Sequence, residues 1–343
     1  MLSVLIINHG TAPATQACLA ALADTLPEDA RVFVLDNGSG PDDVAGLSRT
    51  IAANASRMTL DVSADNLGFS GGMNRLLQAA LADSRTDQVL LLNSDTRPLP
   101  GLIAALRARL DLDSRTDMVA AQMSDPRDGS VDSLGITLYR STLASNRKRA
   151  DEILLGPSGG CALFTRRLLD DLKSTHGEWF DERFFCYAED TDLVLRARWL
   201  GYRPAYAADA LVEHAGSLSS GGRENDFVLY HGIRNSLWWL VKDAPTGWLL
   251  RSLPWFIALH CGIVLRHLRR GRARVLWRLY RDAFKGLPAM RAKRRVIRAS
   301  RRVPESDFGR WVEPRFYERD YVRRAWRELW RPAKPPPGKR EVQ

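Results

Sequence analysis

The segment Val89-Leu90-Leu91-Leu92-Asn93-Ser94-Asp95 joins a continuous apolar run to a polar ending. Comparable apolar runs stand at residues 4–7, 32–35 and 58–62, and stretches with helical periodicity fill the gaps between them. Continuous apolar strands separated by helices are typical of a parallel sheet covered on both faces. The sequence therefore predicts an α/β fold over residues 1–125.

Each of the other three apolar runs also ends in polar residues. In parallel sheets the carboxyl ends of the strands meet at one edge, and ligands bind just beyond that edge. We therefore expect one rim rich in Asp, Asn and Gly. The three endings are Asn8-His9-Gly10, Asp36-Asn37-Gly38-Ser39 and Asp65-Asn66-Leu67-Gly68.

A second polar cluster lies in Phe184-Phe185-Cys186-Tyr187-Ala188-Glu189-Asp190-Thr191-Asp192-Leu193. It sets three carboxylates within four residues at the start of a predicted helix. The helix dipole favours acids in a first turn, which accounts for one or two of them. It does not account for the preceding aromatic residues or for Asn93-Ser94-Asp95. Together the clusters predict one active site that uses carboxylates for a metal ion and for base catalysis.

Size and charge suggest two parts with different tasks. The chain has 343 residues, enough for about two domains of roughly 150 residues. Its net charge is +10, but residues 266–343 hold 25 Lys and Arg against 8 Asp and Glu, so the remainder is acidic. The four scattered cysteines fit a reducing compartment. Residues 1–7 predict a buried strand rather than a signal peptide, so we expect a cytoplasmic protein.

The ordered motifs resemble those of family 2 glycosyltransferases, closest to the bacterial rhamnosyltransferase-like branch, over about residues 1–240. The resemblance implies a GT-A-type fold, with a mostly parallel sheet flanked by helices. It also implies an inverting mechanism, a nucleotide-sugar donor and a divalent metal, Mg²⁺ or Mn²⁺. The motifs are Val34-Leu35-Asp36-Asn37-Gly38-Ser39, Asn66-Leu67-Gly68-Phe69-Ser70-Gly71-Gly72-Met73-Asn74, Leu92-Asn93-Ser94-Asp95-Thr96, and Glu189-Asp190-Thr191-Asp192-Leu193 with Arg196.

The resemblance also assigns roles in catalysis and metal binding. Asp190 would be the general base, and Glu189 would help to bind acceptor hydroxyls. Asp95 would bind the metal, with His214 completing its ligands, although a structural role for His214 is an open alternative. The family's usual Asp-x-Asp has Asn93 at its first position here, and an amide binds metal more weakly than a carboxylate. Asn93 is therefore expected to contact ribose or a water.

The remaining predicted site residues bind the two substrates. The same resemblance implies that Asp36 and Asp65 hold the nucleotide base and ribose. A carboxylate can accept the imide N–H of uracil or thymine, which implies a UDP- or dTDP-sugar. Glycines would let the backbone approach the nucleotide closely. For Asp192, stabilisation of the helix start is an alternative to acceptor contact. The predicted nucleotide-binding residues are Asn8, Asp36, Asp65, Asn66, Gly71, Gly72, Asn74 and Asn93, and the predicted acceptor-binding residues are Gly160, Cys161, Tyr187 and Asp192.

The C-terminal region predicts helices rich in Trp and Arg. Residues 248–265 are mostly apolar but include Arg251, Pro254 and His260. As a helix they span about 27 Å, short of the roughly 30 Å hydrocarbon core, so we expect an interfacial or buried segment. Basic helices with Trp suit an anionic membrane surface. The alternative is a set of solvated helices packed on the catalytic domain.

The predicted organisation has three parts. Residues 1–225 form the transferase domain, with a nucleotide-binding half (1–125) and an acceptor half (126–225). Residues 226–331 form the basic helical region, and 332–343 a disordered tail.

The predicted function is transfer of a sugar, with dTDP-rhamnose as one candidate donor, to a surface-polysaccharide or lipid-linked acceptor. The predicted location is peripheral, at the inner face of a bacterial plasma membrane. One alternative is a nucleic-acid-binding protein that uses the basic C-terminus, although the acidic rim would repel phosphate. Another is a catalytically inactive family member, because Asn93 departs from the usual acid.

Overall fold

The computed structural model describes residues 1–214, 225–319 and 323. Their centre is a nine-stranded sheet. Its strands are β1 (Leu2–Asn8), β2 (Ala30–Asn37), β3 (Met58–Ser63), β4 (Gln88–Leu92), β5 (Thr96–Pro98), β6 (Thr116–Ser124), β7 (Val131–Ser133), β10 (Cys161–Thr165) and β11 (Arg203–His214). The order is β3-β2-β1-β4-β10-β6-β11-β5, and β7 pairs with β6.

Most of the sheet is parallel, as the apolar runs predict. Strands β3, β2, β1 and β4 are mutually parallel, β11 is parallel to β6, and β10 runs antiparallel to both of its neighbours. The four predicted strands of the first half are confirmed with ends extended by up to two residues. The two short strands expected near residues 205 and 210–212 form one strand, β11, whose register shifts between Tyr206 and Leu211.

Helices cover both faces of this sheet. Along β1, Leu2, Val4 and Ile6 enter one core and Leu5 enters the other, as the period of two in a strand requires. The helices are α1 (Ala12–Ala23), α2 (Pro41–Ala52), α3 (Gly68–Leu81), α4 (Leu102–Asp111), α5 (Arg166–His176), α6 (Glu189–Trp199), α7 (Asp226–Asp243), α8 (Thr246–Arg269) and α9 (Ala273–Ser300). Helices α1, α2 and α4 cover the first core, and α3, α5 and α6 cover the second.

A small second sheet joins the end of the described chain to its middle. It contains β8 (Ile136–Tyr139), β9 (Ala144–Asn146) and β12 (Val312–Glu313), with β12 parallel to β8. The expectation of helix to the end of residues 226–331 is therefore wrong in this part. After α9 the chain forms a 3-10 helix, Glu305–Trp311, because Phe308 and Trp311 pack on the ring of Trp199.

The C-terminal helices share a core with the transferase fold. Trp238 and Trp239 of α7 and Met290 of α9 are buried in the same cluster as Leu193 of α6. Helix α8 packs less deeply. Its buried Leu259 and Ile263 belong to a smaller cluster with residues of α7 and α9. Packing on the transferase fold therefore holds for α7 and α9, and also for part of α8, where Trp248 and Phe256 pack against this core. The predicted tail, residues 332–343, lies outside the described residues.

Candidate active site

Two adjacent glycines join the predicted base to the polar end of β4. The amide of Gly159 donates to Asp190 Oδ2 at 3.0 Å, and the carbonyl of Gly160 accepts from the amide of Asn93 at 2.9 Å. The structure thus brings the two acidic motifs, about a hundred residues apart in sequence, to one place. A side chain at Gly160 would meet the methyl end of the Met123 side chain at 2.7 Å, which would then have to move.

Two carboxylates of this site have raised pKa values. Burial raises the pKa of Asp190 despite hydrogen bonds from the amides of Gly159 and Thr191, the latter at 2.7 Å. Burial and the neighbouring Asp190 raise the pKa of Glu189 well above its ordinary value. Glu189 Oε2 is buried without a hydrogen-bond partner among the described residues. Both groups therefore hold protons more tightly than ordinary carboxylates, which suits acid–base chemistry.

The third carboxylate of the motif, Asp192, differs from the prediction of acceptor contact. It is fully buried, with Arg196 Nε at 2.9 Å and Lys242 Nζ at 2.7 Å. Burial alone would raise the pKa of Asp192, but these two cations outweigh it and hold the pKa far below its ordinary value. Lys242 also pairs with Asp181 at 3.1 Å. Asp192 therefore belongs to a buried ion cluster that joins α6 to α7, which corrects its assignment.

The backbone that leads into α6 is strained. Phe185, Tyr187 and Ala188 have φ of +67°, +68° and +64°, and only one other non-glycine residue in the described parts of the chain, Thr142, has positive φ. Such strain is typical of functional sites. The buried side chain of Asn235 in α7 donates to three carbonyls of this segment. Sequence reasoning missed Asn235 because nothing in its local pattern marks it.

The predicted metal ligands are neighbours across the sheet edge. Strand β5 pairs with β11, which sets Asp95 Oδ1 3.3 Å from His214 Nε2. On its other side His214 Nδ1 lies 2.7 Å from Asp132 Oδ2 of β7. Burial alone would lower the pKa of His214, but hydrogen bonds to Asp132 and Asp95 raise it to about 9. Asp132 was missed, because the polar residues 126–158 gave no readable strand pattern.

The donor set at this point suits a divalent cation. A carboxylate oxygen and an imidazole nitrogen converge there, a combination that fits Mn²⁺ better than Mg²⁺. Asp132 would orient the imidazole from behind, as carboxylates commonly do for metal-binding histidines. Within the described ranges, no third His, Cys, Asp or Glu completes a larger ligand group. Two protein ligands are enough where substrate phosphates and water supply the rest.

The predicted nucleotide-binding residues fall into two groups. Asp36 is fully buried, and its carboxylate accepts from Asn8 Nδ2 at 2.7 Å and from the amide of Ser39 at 3.0 Å. Asn8 is also buried and accepts from Thr15 at 2.7 Å. These residues therefore fix the turn after β2. Asp65 and Asn66, in contrast, are exposed at the rim.

The exposed rim is held by side chains that sequence reasoning did not select. Asn66 Nδ2 lies 3.1 Å from His9 Nε2, and Asn37 Nδ2 donates to Asn66 Oδ1 at 3.1 Å. Asn37 also accepts from the amide of Leu67 at 2.9 Å. His9 and Asn37 stand in the strand endings, but nothing there distinguishes them from ordinary loop residues. The network joins the ends of β1, β2 and β3 at the predicted donor side.

Of three predicted nucleotide-binding residues on α3, two receive other roles. A side chain at Gly72 would meet Ile7 at 2.8 Å, and one at Gly71 would meet its neighbour Leu67 at 3.0 Å. Gly72 therefore permits close packing of α3 on the sheet. Asn74 donates to the carbonyl of Phe180 at 2.9 Å and accepts from its amide at 3.0 Å. The Asn74 side chain thus ties α3 to the chain before the acidic motif.

The predicted acceptor residues also divide. Cys161 is buried in the core on the α1 side, where its thiol cannot face a sugar without rearrangement. Tyr187 is half-buried, and its ring lies 6.2 Å from that of Phe227. Phe227 in turn stands edge-on to Phe185 at 6.3 Å and lies 4.5 Å from His231. These four rings form an aromatic cluster beside the strained segment.

Comparison with known proteins agrees with this architecture. The chain is 27% identical over 321 residues to an N-acetylglucosaminyl-diphospho-decaprenol L-rhamnosyltransferase of Mycobacterium tuberculosis, covering 80% of this chain and 97% of the relative. In fold it is similar to the mannosyltransferase PcManGT from Pyrobaculum calidifontis, solved with GDP-Man and Mn²⁺ (TM-score 0.54, 16% identity, covering 87% of this chain and 85% of that one). It is also similar to S. aureus TarS (TM-score 0.52, 17% identity, covering 90% and 55%).

The sheet is mostly parallel and of the GT-A type, and it brings the acidic motifs to the carboxyl ends of its strands. The family model and the relatives that match the chain make it an enzyme that transfers sugars. The family model described as glycosyl transferase family 2 matches residues 3–173. The chain belongs to that family, as its motifs predict.

Proposed function

We propose that the chain transfers a sugar, with inversion, from a UDP- or dTDP-sugar to a lipid-linked or surface-glycan acceptor. The relative from M. tuberculosis is named for rhamnosyl transfer to a diphospho-decaprenol-linked acceptor, which favours dTDP-rhamnose as the donor to test first. The observation that carries the proposal is the junction of Asp190, Gly159, Gly160 and Asn93. It sets a carboxylate with a raised pKa beside the strand end that bears Asp95.

In this reaction Asp190 removes the proton of the acceptor hydroxyl. The acceptor oxygen bonds to the anomeric carbon, and the bond from that carbon to the diphosphate oxygen breaks with its electron pair on the nucleotide. Because burial raises the pKa of Asp190, its carboxylate is a stronger base than an exposed aspartate. Glu189, with a pKa raised still more clearly, supports acceptor hydroxyls as a hydrogen-bonding group.

Asp95 and His214 would hold the divalent cation, and Asp132 would fix the imidazole. When bound, the cation neutralises negative charge on the diphosphate leaving group. The exposed rim of Asp65, Asn66 and neighbouring His9 would meet the nucleoside. Asp36 would act indirectly, through the turn that it fixes.

Asp190→Asn tests the base. We expect transfer to fall about 10²–10⁴-fold, because the change removes a proton acceptor and keeps the shape. The assay follows nucleotide release from a panel of nucleotide-sugars with a polyprenyl-diphosphate-linked sugar acceptor, and nucleotide binding should stay unchanged. Asp209→Asn, at an exposed position of β11, is the matched control. Near wild-type turnover of Asp190→Asn would reject the assignment, and an inactive wild-type enzyme would favour the inactive-member alternative.

Asp95→Ala tests the cation. It should weaken Mn²⁺-dependent binding of UDP or dTDP, and EDTA should reproduce the loss in the wild type. His214→Ala should show a smaller loss of the same kind. Equal nucleotide binding with and without divalent cations would contradict the metal assignment.

We also propose that the protein binds an anionic membrane surface through α8. Among the described residues, α8 is the one helix long and apolar enough to cross a membrane, and 17% of its most apolar part is buried in the protein. Its Leu259 and Ile263 pack with Leu229 of α7 and Leu276 of α9. Because one face packs on these helices, α8 suits a position along the membrane surface rather than across the membrane.

The opposite face of α8 is apolar and exposed. At 100° per residue, Leu250, Leu253, Ile257, Leu265 and Leu268 fall on one side of the helix, and each is 46–67% exposed. Arg251 and Arg269 flank this stripe at exposed positions. An apolar stripe edged by cations complements an anionic bilayer, where the leucines enter the interface and the arginines meet lipid phosphates.

Leu253→Glu with Ile257→Glu tests this surface. Sedimentation with phosphatidylglycerol vesicles should pull down the wild type strongly at low salt and more weakly at high salt, with a salt-resistant remainder from the leucines. The double variant should lose that remainder and keep nucleotide binding. Leu112→Glu, at a leucine that is 76% exposed near the end of α4, is the control. Wild-type protein that ignores these vesicles but binds single-stranded oligonucleotides would favour the nucleic-acid alternative.

A further inference from the structure

The segment between Phe184 and Glu189 cannot hold its conformation by local preference alone. Phe185, Tyr187 and Ala188 all carry a Cβ, yet each has φ between +64° and +68°. Left-handed backbone is unfavourable for residues with a Cβ, so contacts from elsewhere must hold the segment. The segment ends at Ala188, whose carbonyl accepts from the amide of Asp192 in the first turn of α6. Its conformation therefore sets the direction in which Glu189 and Asp190 point.

One side chain supplies most of these contacts. Asn235 of α7 is fully buried, and its Nδ2 lies 2.9, 2.8 and 2.7 Å from the carbonyl oxygens of Phe184, Cys186 and Tyr187. Its Oδ1 accepts from Arg234 Nε at 2.9 Å, which fixes the orientation of the amide. The two N–H groups of this amide are thus shared among three carbonyl oxygens of the strained segment.

The neighbouring Arg234 and the donor side of the site reinforce this arrangement. Arg234 Nη2 donates to the carbonyl of Phe184 at 3.0 Å. From the opposite side, the amide of Ser70 in α3 donates to the carbonyl of Phe185 at 3.0 Å. Gly68 lies so close that a side chain there would come within 2.5 Å of Phe185. The segment is therefore held between α3 and α7.

We propose that Asn235 is a positioning residue for sugar transfer, which acts by holding residues 184–188 in the conformation that aims Asp190. The role rests on the proposed function of Asp190 as the base. Without the amide of Asn235, residues 185, 187 and 188 can relax toward negative φ, and the start of α6 turns with them. Asp190 then departs from the position that its bond with Gly159 marks.

Asn235→Ala should lower kcat about 10²-fold, since a displacement of about 1 Å in a catalytic group has an effect of that order. Nucleotide affinity should stay unchanged, because among the described residues the hydrogen bonds of Asn235 reach Arg234 and residues 184–187 and none of the donor rim. Ser236→Ala is the matched control, because Ser236 is the next residue and is also buried, and within the described parts of the chain its hydroxyl donates only to the carbonyl of Gly232 in its own helix. It should keep wild-type kcat.

Ala188→Gly supplies a readout that a purely structural role would not produce. Glycine adopts positive φ without strain, so this change should restore part of the lost kcat in the Asn235→Ala background. Hydrogen exchange of the backbone amides measures the same loss and recovery of order in the segment. The amides of residues 184–186 should exchange faster in Asn235→Ala and slow again in the double variant.

Three results would overturn the positioning role. The first is wild-type kcat in Asn235→Ala. The second is a parallel loss of kcat and nucleotide affinity that Ala188→Gly does not relieve. The third is failure to fold of both Asn235→Ala and the double variant Asn235→Ala with Ala188→Gly. The last two would assign Asn235 a structural role. The proposed function fails separately, if Asp190→Asn still transfers sugar. Loss of transfer in Asp190→Asn with full kcat in Asn235→Ala would overturn only the positioning role.

Discussion

The first turn of α6 contains two kinds of carboxylate. Glu189 is buried and Asp190 is half-buried, and loss of hydration raises the pKa values of both. Asp192 is fully buried, yet Arg196 and Lys242 hold its pKa far below the ordinary value. Loss of hydration acts on all three carboxylates, so the difference comes from the cations. Carboxylates without a cation keep an affinity for protons, while the carboxylate with two cations holds the fold together.

Of the tests of this difference between the carboxylates, substitution of Lys242 has the largest expected effect. This lysine is fully buried and pairs with Asp192 and Asp181, so Lys242→Met leaves two buried carboxylates with fewer partners. We expect a loss of about 3–5 kcal/mol in the free energy of unfolding, measured by urea denaturation. Lys285→Met, at an exposed position of α9, should change stability little. A loss below about 1 kcal/mol at Lys242 would contradict a stabilising role for the cluster.

Glu189→Gln tests the same difference at a carboxylate that has no cationic partner among the described residues to lower its pKa. Below about pH 4.3, the ordinary pKa of Glu, wild type and variant should be equally stable, because folded and unfolded states both carry the proton. As pH rises through that value, the unfolded carboxyl ionises while the folded one, with its raised pKa, keeps its proton. Wild-type stability therefore falls with rising pH until the folded pKa is passed.

At neutral pH the Gln variant should be more stable by about 0.5–2 kcal/mol, the usual range for removal of an unfavourable feature. Thermal unfolding followed from pH 4 to pH 8 measures the difference. Glu28→Gln, at an exposed glutamate, should show no such pH-dependent gain. A Glu189→Gln variant that is less stable than wild type at neutral pH would show that Glu189 has a stabilising partner.

The smallest effect is expected for an ion pair of similar length at the surface. Arg75 Nε lies 2.5 Å from Asp61 Oδ2, but both side chains are 42% exposed. A double-mutant cycle with Arg75→Ala and Asp61→Ala should give a coupling of about 0.2–1 kcal/mol that shrinks in high salt. If this pair couples as strongly as Lys242 and Asp192, burial does not explain the difference between the two sites.

The sequence predicted features that depend on neighbouring residues. Continuous apolar runs predicted β1 to β4, because a strand buried on both faces needs no partner to be recognised. The meeting of Asp95 with His214, and of Asp190 with the end of β4, followed from the family's motifs. The Glu-Asp-Thr-Asp pattern did not reveal that Asp192 serves the fold, because Lys242 is 50 residues further along the chain.

Distant contacts that the family's motifs do not mark were missed for the same reason. Asp132 lies on a three-residue strand whose existence depends on pairing with β6. Asn74 and Asn235 each bond to carbonyls of another segment, and an isolated asparagine in a helical pattern carries no sign of such a partner. The strained φ angles at Phe185 and Tyr187 were equally hidden, because neither residue type favours them.

The pairing of β12 with β8 has a mechanical consequence. Helices α7 to α9 follow from β11 by the chain itself, and β12 fastens their far end to the fold through Val312 and Leu138. A segment attached at one end can swing about that end, whereas one attached at both ends can only bend. Asn235 lies on the first of these helices and the exposed stripe on the second. On the proposed membrane surface, the distance from that surface to Asp190 would therefore be held by two attachments of the helical region rather than by one.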